Sequence, residues 1–326
     1  MLDICLPGTG GTVPRLDRFL SCCYMRHEGR GLLIDCGEGT QLAVKKAGFS
    51  LSRIDLILLT HFHADHVSGL PGILLSMGNE GRTDPLLICG PKGVDTVVKA
   101  LTVIAPELPF RVRTRALEDF DTVEQGGFSV TAFELKHSCV CLGYDVRIRR
   151  GGRFDVEKAR ARGVPQRLWS KLQKGESLEG FTPADVLGEA RRGIHVTYAT
   201  DTRPLEIISV MAADADLLIA EGMFERDKRS RALESSHMTV EEAARLGRDA
   251  ECRRLWLTHF SPALPDPTVC YGEAASVFPG VILGTDGLTE TIRFEDDEPF
   301  AAEPFDNELF GSEPHENESP AEGADK

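Results

Sequence analysis

"LLTHFHADHVSG", residues 58–69, sets His61, His63, Asp65 and His66 within six positions, directly after the apolar run that begins at Ile54. A lone histidine near a strand end is usually a satisfied structural residue. Four such groups in six positions are different, because neutral imidazoles and carboxylates share the ability to give a lone pair to a metal ion. Burying them together without a metal would cost several kcal/mol in unmet hydrogen bonding. In an extended or turning segment His61 and His63 point to one side, whereas Asp65 and His66 fall past the bend. The cluster therefore suits two adjacent ions rather than one. Gly69 and Gly72 let the chain turn away tightly afterwards.

A two-ion site needs donors from elsewhere, and they occur at one kind of address, the end of a β-like run. His137 follows "VTAFELK", Asp201 follows "HVTYAT" and His259 follows "RLWLT". The three join the first cluster to make five histidines and two aspartates, enough for two ions with positions left for water and substrate. His27, His195 and His315 lack such company and are expected to be structural or solvated.

Short apolar, β-branched runs recur over 31–37, 54–60, 85–90, 128–135, 194–201, 215–222, 253–260 and 280–287. Segments with helical spacing follow several of them, at 40–47, 92–104 and 239–250. The last opens on Thr239 with Glu242 three residues on, a capping-box pattern. Strands alternating with helices predict an α/β protein whose chemistry sits at strand ends.

With 326 residues and 41% hydrophobic content the chain can bury a large core. No apolar run is long enough to cross a bilayer, and "MLDICLPGTGG" has neither a basic leader nor a long apolar stretch. The nine cysteines are scattered, with no CxxC pair, which suits reduced thiols in the cytoplasm.

The net charge of −14 is unevenly placed. Residues 295–326 hold twelve acidic groups against one basic, and their Pro, Ala, Gly and Ser content predicts a disordered acidic tail. The rest of the chain carries only −3. Within it, residues 147–174 hold ten Arg or Lys against two acids. Such a run is either a solvated face or a footprint for a polyanion, since clustered cations gain by releasing counterions from phosphates. We expect one compact domain over 1–294 with a basic arm inserted at 147–192.

"THFHADH" resembles the HxHxDH motif of the metallo-β-lactamase superfamily, with His137, Asp201 and His259 matching the remaining metal positions. The finer resemblance is to ribonuclease Z, the endonuclease that trims the 3′ end of precursor tRNA. It rests on "GTGGTVP", "LLIDCGEGTQ", "GLPGILLSM", "GRTDPLLICGPKG", "GRFDVEKARARGVP", "YATDTRP", "HMTVEEAARLG" and "LTHFS", and runs from about residue 6 to 290. The resemblance implies an αββα sandwich and two zinc ions per chain, with manganese or iron as alternatives. His61, His63 and His137 would bind one ion, Asp65, His66 and His259 the other, and Asp201 would bridge. Asp65 would also orient the attacking water and take its proton. His237, in "HMT", would give a proton to the leaving ribose oxygen with support from Glu221, in "AEGMF". The implied substrate is precursor tRNA, gripped by the arm through residues such as Arg160, Arg162 and Arg167; a homodimer is implied as well, and neither a membrane nor DNA is expected as a partner.

The chain also departs from the family pattern. A Gly-Pro-rich segment of the arm is replaced by "GVPQRLWSKLQKGESLEGF", which keeps only Pro165. Ala263 and Leu264 stand where an Arg-Tyr pair is common, and Phe19 replaces a polar neighbour of Arg18. The metal positions are complete and the RNA-reading parts are altered. The alternative reading is therefore a related phosphodiesterase acting on a small or non-tRNA substrate; a non-catalytic binding module sits poorly with a complete ligand set.

Overall fold

The structure is a computed structural model that describes residues 1–105 and 107–295. The acidic tail expected over 295–326 lies, apart from Glu295, outside the described residues, as does His315.

Fourteen strands are described: β1 Leu2–Gly8, β2 Cys22–His27, β3 Arg30–Ile34, β4 Ile54–Leu58, β5 Leu86–Gly90, β6 Val112–Ala116, β7 Thr122–Gln125, β8 Phe128–Lys136, β9 Val140–Arg150, β10 Arg191–Ala199, β11 Leu217–Glu221, β12 Leu255–Thr258, β13 Ile282–Leu283 and β14 Leu288–Ile292. They form two seven-stranded sheets, ordered β14-β1-β2-β3-β4-β5-β6 and β13-β12-β11-β10-β9-β8-β7. β3 to β6 pair in parallel, as do β10 to β13. All eight apolar runs anticipated from the sequence coincide with strands.

The three largest clusters of buried residues form three layers. Leu32, Ile34, Leu56, Leu58, Val130, Tyr144, Val196, Ile219 and Trp256 fill the space between the sheets. On the outer face of the first sheet, Leu33, Ile57 and Ile88 pack with Val44, Leu70, Ile73, Leu74 and Val98 from the helices Thr40–Lys46, Leu70–Asn79 and Val94–Leu101. On the outer face of the second sheet, Leu218, Ala220 and Leu257 pack with Ile208, Val240, Ala243, Ala244 and Ala274 from Glu206–Met211, Val240–Asp249 and Tyr271–Ala275. Helices outside and sheets inside make the expected αββα sandwich. A strand covered on both faces is apolar on both, and β4, buried at all five residues, reads as an apolar run broken only by Asp55, whose carboxylate pairs with Arg30 and Arg82.

The described chain divides into two compact units. One holds residues 1–150 and the chain from Arg192 onward; the other holds Gly151–Arg191. Arg147, Arg149 and Arg150, counted with the arm in the sequence, belong to β9. Their alternation with buried Val146 and Ile148 is the period of two of a strand with one face in the core.

The second unit has a small core of Ala159, Val164, Leu168, Leu172 and Val186, flanked by Phe154 and Trp169 with ring centroids 5.2 Å apart. Its helix Val156–Ala161 is capped by Asp155, whose side chain accepts from Lys158 N at 2.9 Å. Arg160 is exposed, Arg167 is bound by both oxygens of Glu179 at 2.6 and 2.8 Å, and Arg162 lies 3.8 Å from Asp185.

Candidate metal centre

Five strands deliver the clustered side chains from their ends. The chain leaving β4 carries His61, His63, Asp65 and His66, β8 leads to His137, β10 leads to Asp201, β11 ends at Glu221 and β12 leads to His259. Asp201 and His259 both adopt left-handed backbone, at φ +57°. For residues other than glycine such conformations cost of order 1–3 kcal/mol and persist where the surroundings over-determine them. Here the turn aims each side chain back over the sheet edge.

The donor atoms separate into two groups about Asp201. On the side of Oδ1, His61 Nε2 lies at 4.0 Å and His137 Nε2 at 3.9 Å. His63 Nδ1 is 3.0 Å from His61 Nε2 and 3.3 Å from His137 Nε2. On the side of Oδ2, His66 Nε2 lies at 3.2 Å and His259 Nε2 at 3.3 Å. Asp65 Oδ2 is 3.5 Å from His66 Nε2 and 3.6 Å from His259 Nε2. Ligands held about 2 Å from one ion in a tetrahedron are about 3.3 Å apart, so both groups have the spacing of ligands to a zinc-sized cation.

The fit of a cation can be tested on the buried polar atoms. His66 Nε2, Asp201 Oδ2 and both ring nitrogens of His259 are buried without a hydrogen-bond partner. Buried polar groups are normally paired, and four orphans at one point need an explanation. A cation on the Oδ2 side would supply it for His66 Nε2, Asp201 Oδ2 and His259 Nε2, which all face that one point.

The outward nitrogens are held by protein groups. Asp35 Oδ2 accepts from His66 Nδ1 at 2.8 Å. Thr60 gives its hydroxyl hydrogen to Asp35, at 2.9 and 3.1 Å from the two oxygens, so its oxygen accepts from His61 Nδ1 at 3.0 Å. The Ser236 carbonyl accepts from His137 Nδ1 at 3.2 Å. These bonds fix the tautomers so that Nε2 of each ring presents a lone pair inward. His63 is turned the other way, with Nε2 3.8 Å from Cys139 Sγ.

Asp35 was not singled out in the sequence. It is fully buried at the end of β3 with φ +61°, and its partners Thr60 and His66 reach it only because β3 and β4 are neighbours. A lone strand-end aspartate in "LLIDCG" carries no signal of that pairing.

Charge within the cluster is strongly coupled. Burial pushes the His61 imidazole down to about 2, with the neighbouring His66 adding to the effect. Burial also lowers His137. Burial opposes ionisation of Asp201 and Asp65, yet His259 and His66 hold both well below the usual carboxylate range. The neutral imidazoles of His61 and His137 and the ionised carboxylates are the donor states a divalent cation requires, whereas Asp201 and Asp35 outweigh the effect of burial and raise His66 well above the ordinary histidine value.

His237 and Glu221 form a second layer. His237 Nδ1 donates to Glu221 Oε2 at 3.0 Å, while Glu221 Oε1 accepts from Thr202 N at 2.5 Å. Burial would depress His237, but the charge and hydrogen bond of Glu221, helped by Asp201 and Asp65, raise it to about 9. Arg203 bonds the His237 carbonyl and pairs with Glu242 at 2.7 Å. Thr12, His63, Asp65, His137, Ser138, Asp201, Ser235, His237 and His259 line a cleft of about 380 Å³. Every predicted metal position, together with His237 and Glu221, is therefore brought to one place. Arg160, Arg162 and Arg167 belong to the arm unit. His27 and His195 are structural as expected, His27 bonding the Met1 carbonyl and His195 pairing with Asp145.

Comparison with known proteins matches these features. The family model described as Beta-lactamase superfamily domain covers residues 145–260, and that of Anti-Pycsar protein Apyc1 covers residues 2–137. The chain is 48% identical over 303 residues to ribonuclease Z of Agathobacter rectalis, covering 91% of this chain and 100% of that one. It is 46% identical to ribonuclease Z of Lachnospira eligens, with coverage of 91% and 100%, and 43% identical to that of Clostridium acetobutylicum, with 90% and 99%. The chain belongs to the ribonuclease Z family.

Among solved structures, the metallo-β-lactamase fold protein YhfI of Bacillus subtilis superposes with a TM-score of 0.67 at 19% identity, covering 89% of this chain and 98% of that one. The short form of human tRNase Z does so at 0.65 and 24%, with coverage of 90% and 100%. At such identities these likenesses speak for the fold, a metallo-β-lactamase sandwich. Ribonuclease Z membership and that fold together make divalent-metal binding a property of this chain, and the His/Asp clusters about Asp201 are able to hold a metal.

Proposed function

We propose that the chain cuts the 3′ trailer from precursor tRNA, leaving a 3′-hydroxyl, and that it does so with two zinc ions. The observation that carries the metal assignment is Asp201, whose two oxygens each face a separate group of inward nitrogens. His61, His63 and His137 would hold one ion, Asp65, His66 and His259 the other, with Asp201 between them. When bound, the ions would lower the pKa of a shared water and offset charge on the phosphodiester.

The chain's own groups handle the protons. Asp65 reaches the cleft with a carboxylate kept ionised by its neighbours, so it can take the proton of the attacking water. His237, with Nδ1 tied to Glu221, keeps Nε2 for the leaving oxygen, and its raised pKa keeps it protonated near neutrality. The acidic surroundings of Glu221, Asp201 and Asp65 thus make a proton donor of a histidine that burial alone would neutralise.

The arm supplies Arg160 as an exposed cation, with Arg162 and Arg167 able to exchange their carboxylate partners for phosphate. A homodimer, in which each arm serves the partner subunit, and a cytoplasmic location complete the reading. All nine cysteines are free thiols, as a reducing compartment requires. The described residues include no helix long and apolar enough to cross a membrane.

The test is cleavage of a precursor tRNA with mapped ends, alongside elemental analysis and sedimentation. Cutting at the trailer junction with about two zinc ions per chain is expected. Turnover of bis(p-nitrophenyl) phosphate with no cleavage of precursor tRNA would instead assign a small-substrate phosphodiesterase.

A further inference from the structure

One carboxylate outside the ligand set reaches both ends of the loop that carries Thr12. Asp286 accepts from Thr9 Oγ1 at 2.8 Å through Oδ1 and from Phe19 N at 2.6 Å through Oδ2. Between these points the chain makes an excursion closed at its neck, where Thr9 N and Gly10 N donate to the Phe19 carbonyl at 3.1 and 2.8 Å. Gly11 N donates to the Phe260 carbonyl at 3.0 Å, beside His259. Gly11 lies so close that an added Cβ would stand 2.7 Å from His259 Cε1.

The next residue touches the site directly. Thr12 N donates to Asp65 Oδ2 at 2.7 Å, the same oxygen that faces His66 and His259. It does so at φ +70°, a conformation unfavourable for a β-branched residue, which its surroundings must hold. The tip beyond it packs little, since Val13 is 50% exposed and Leu16 fully exposed; Arg15 and Arg18 tie it to the Pro262, Leu264 and Pro265 carbonyls at 3.0, 3.1 and 2.9 Å, and these partners lie in an irregular segment after β12. Asp286, by contrast, sits on framework: Gly284 N donates to the Leu257 carbonyl of β12 and Gly287 N to the Leu6 carbonyl of β1.

We propose that Asp286 is a positioning residue for the hydrolytic reaction. By tying Thr9 and Phe19 it keeps the Thr12 amide on Asp65 Oδ2, so that Oδ2 faces the His66–His259 group and Oδ1 remains for the cleft. This rests on the reading that Asp65 works in the metal centre.

The test compares zinc-loaded wild type with Asp286→Ala, Asp286→Asn and Thr9→Val. Zinc retention against a chelator, kcat and KM on bis(p-nitrophenyl) phosphate, and tryptic cleavage after Arg15 are measured on each. Asp286→Ala should bind zinc about tenfold more weakly and lose about tenfold in kcat with KM little changed, as removal of groups that orient metal ligands does. Its loop should be cut faster by trypsin. Asp286→Asn should recover most of this, because its oxygen can accept from the Phe19 amide while its NH₂ donates to the Thr9 hydroxyl. Thr9→Val, which removes one of the two bonds, should fall between and serves if Asp286→Ala does not fold. Wild-type zinc affinity and kcat in Asp286→Ala or Thr9→Val, with only a lower Tm, would overturn the proposal, as would an Asp286→Asn variant no better than Asp286→Ala. Asp65→Ala is the control. If it too leaves zinc binding and turnover intact, the assignment of Asp65 is at fault and the latch falls with it.

Discussion

His237 donates through Nδ1 to Glu221 Oε2 at 3.0 Å, and this one bond settles which nitrogen of the ring is left for the cleft. Glu221 is fully buried and its other oxygen is taken by Thr202 N, so the pair has little freedom to rearrange.

Replacement of His237 by Ala should separate two kinds of leaving group. A ribose alkoxide needs a proton, whereas p-nitrophenolate leaves without help. Cleavage of precursor tRNA should fall by about a hundred to ten thousand times, while bis(p-nitrophenyl) phosphate keeps much of its rate and metal content stays at the wild-type level. Equal losses on both substrates would show that the residue orients the site instead of donating the proton.

Asp201 joins the two donor groups, so Asp201→Ala should weaken binding at both. Metal content should drop well below that of wild type, and turnover of either substrate should fall by orders of magnitude. Elemental analysis after dialysis reads this directly; full occupancy of both positions in the variant would sink the bridging assignment.

On the arm, exchanging Arg160, Arg162 and Arg167 for Ala should raise KM for precursor tRNA and flatten its salt dependence. The slope should fall by about one for each phosphate that is no longer neutralised. Because Arg167 is bound by both oxygens of Glu179, its single replacement also exposes an unpaired carboxylate. Glu179→Gln should therefore tighten tRNA binding slightly. Hydrolysis of the small phosphodiester should not respond to any of these changes; a parallel fall on both substrates would mean that the arm supports the fold.

Acid stability should depend on Asp145. Burial works against its charge, but His195 and Arg147 hold it below its ordinary value of 3.8. A lowered folded-state pKa means that the contribution is complete above 3.8 and is lost as pH falls through the lower folded value. In metal-free protein, Asp145→Asn should be about 1.5–3 kcal/mol less stable than wild type at pH 7. That gap, followed by urea unfolding, should close below pH 3.8; a gap that stays constant would place the effect in packing.

The sequence by itself determined the α/β class and, through its family resemblance, pointed to the sandwich and to the candidate donor residues. Buried parallel strands must be apolar on both faces, so β3, β4, β5, β10, β11 and β12 stand out as runs in the linear text. Metal donors are a short chemical menu, so HxHxDH and histidines or aspartates at strand ends are visible without coordinates. Strands with one solvated face were harder to see. β6 is exposed along most of its length, and the arginines of β9 gave a body strand the look of the arm's beginning.

Only the tertiary structure decided how those donors divide and what holds them. Asp201 faces two groups because β10 lies between β9 and β11, and its left-handed backbone turns the carboxylate into the gap. Asp35 reaches His66, 31 positions away, and Asp286 reaches Thr9, 277 away, through hydrogen bonds that no local pattern encodes. A ligand's chemistry is a property of its side chain and can be read from one letter. Its orientation is set by hydrogen bonds from residues that become neighbours only when the sheets assemble.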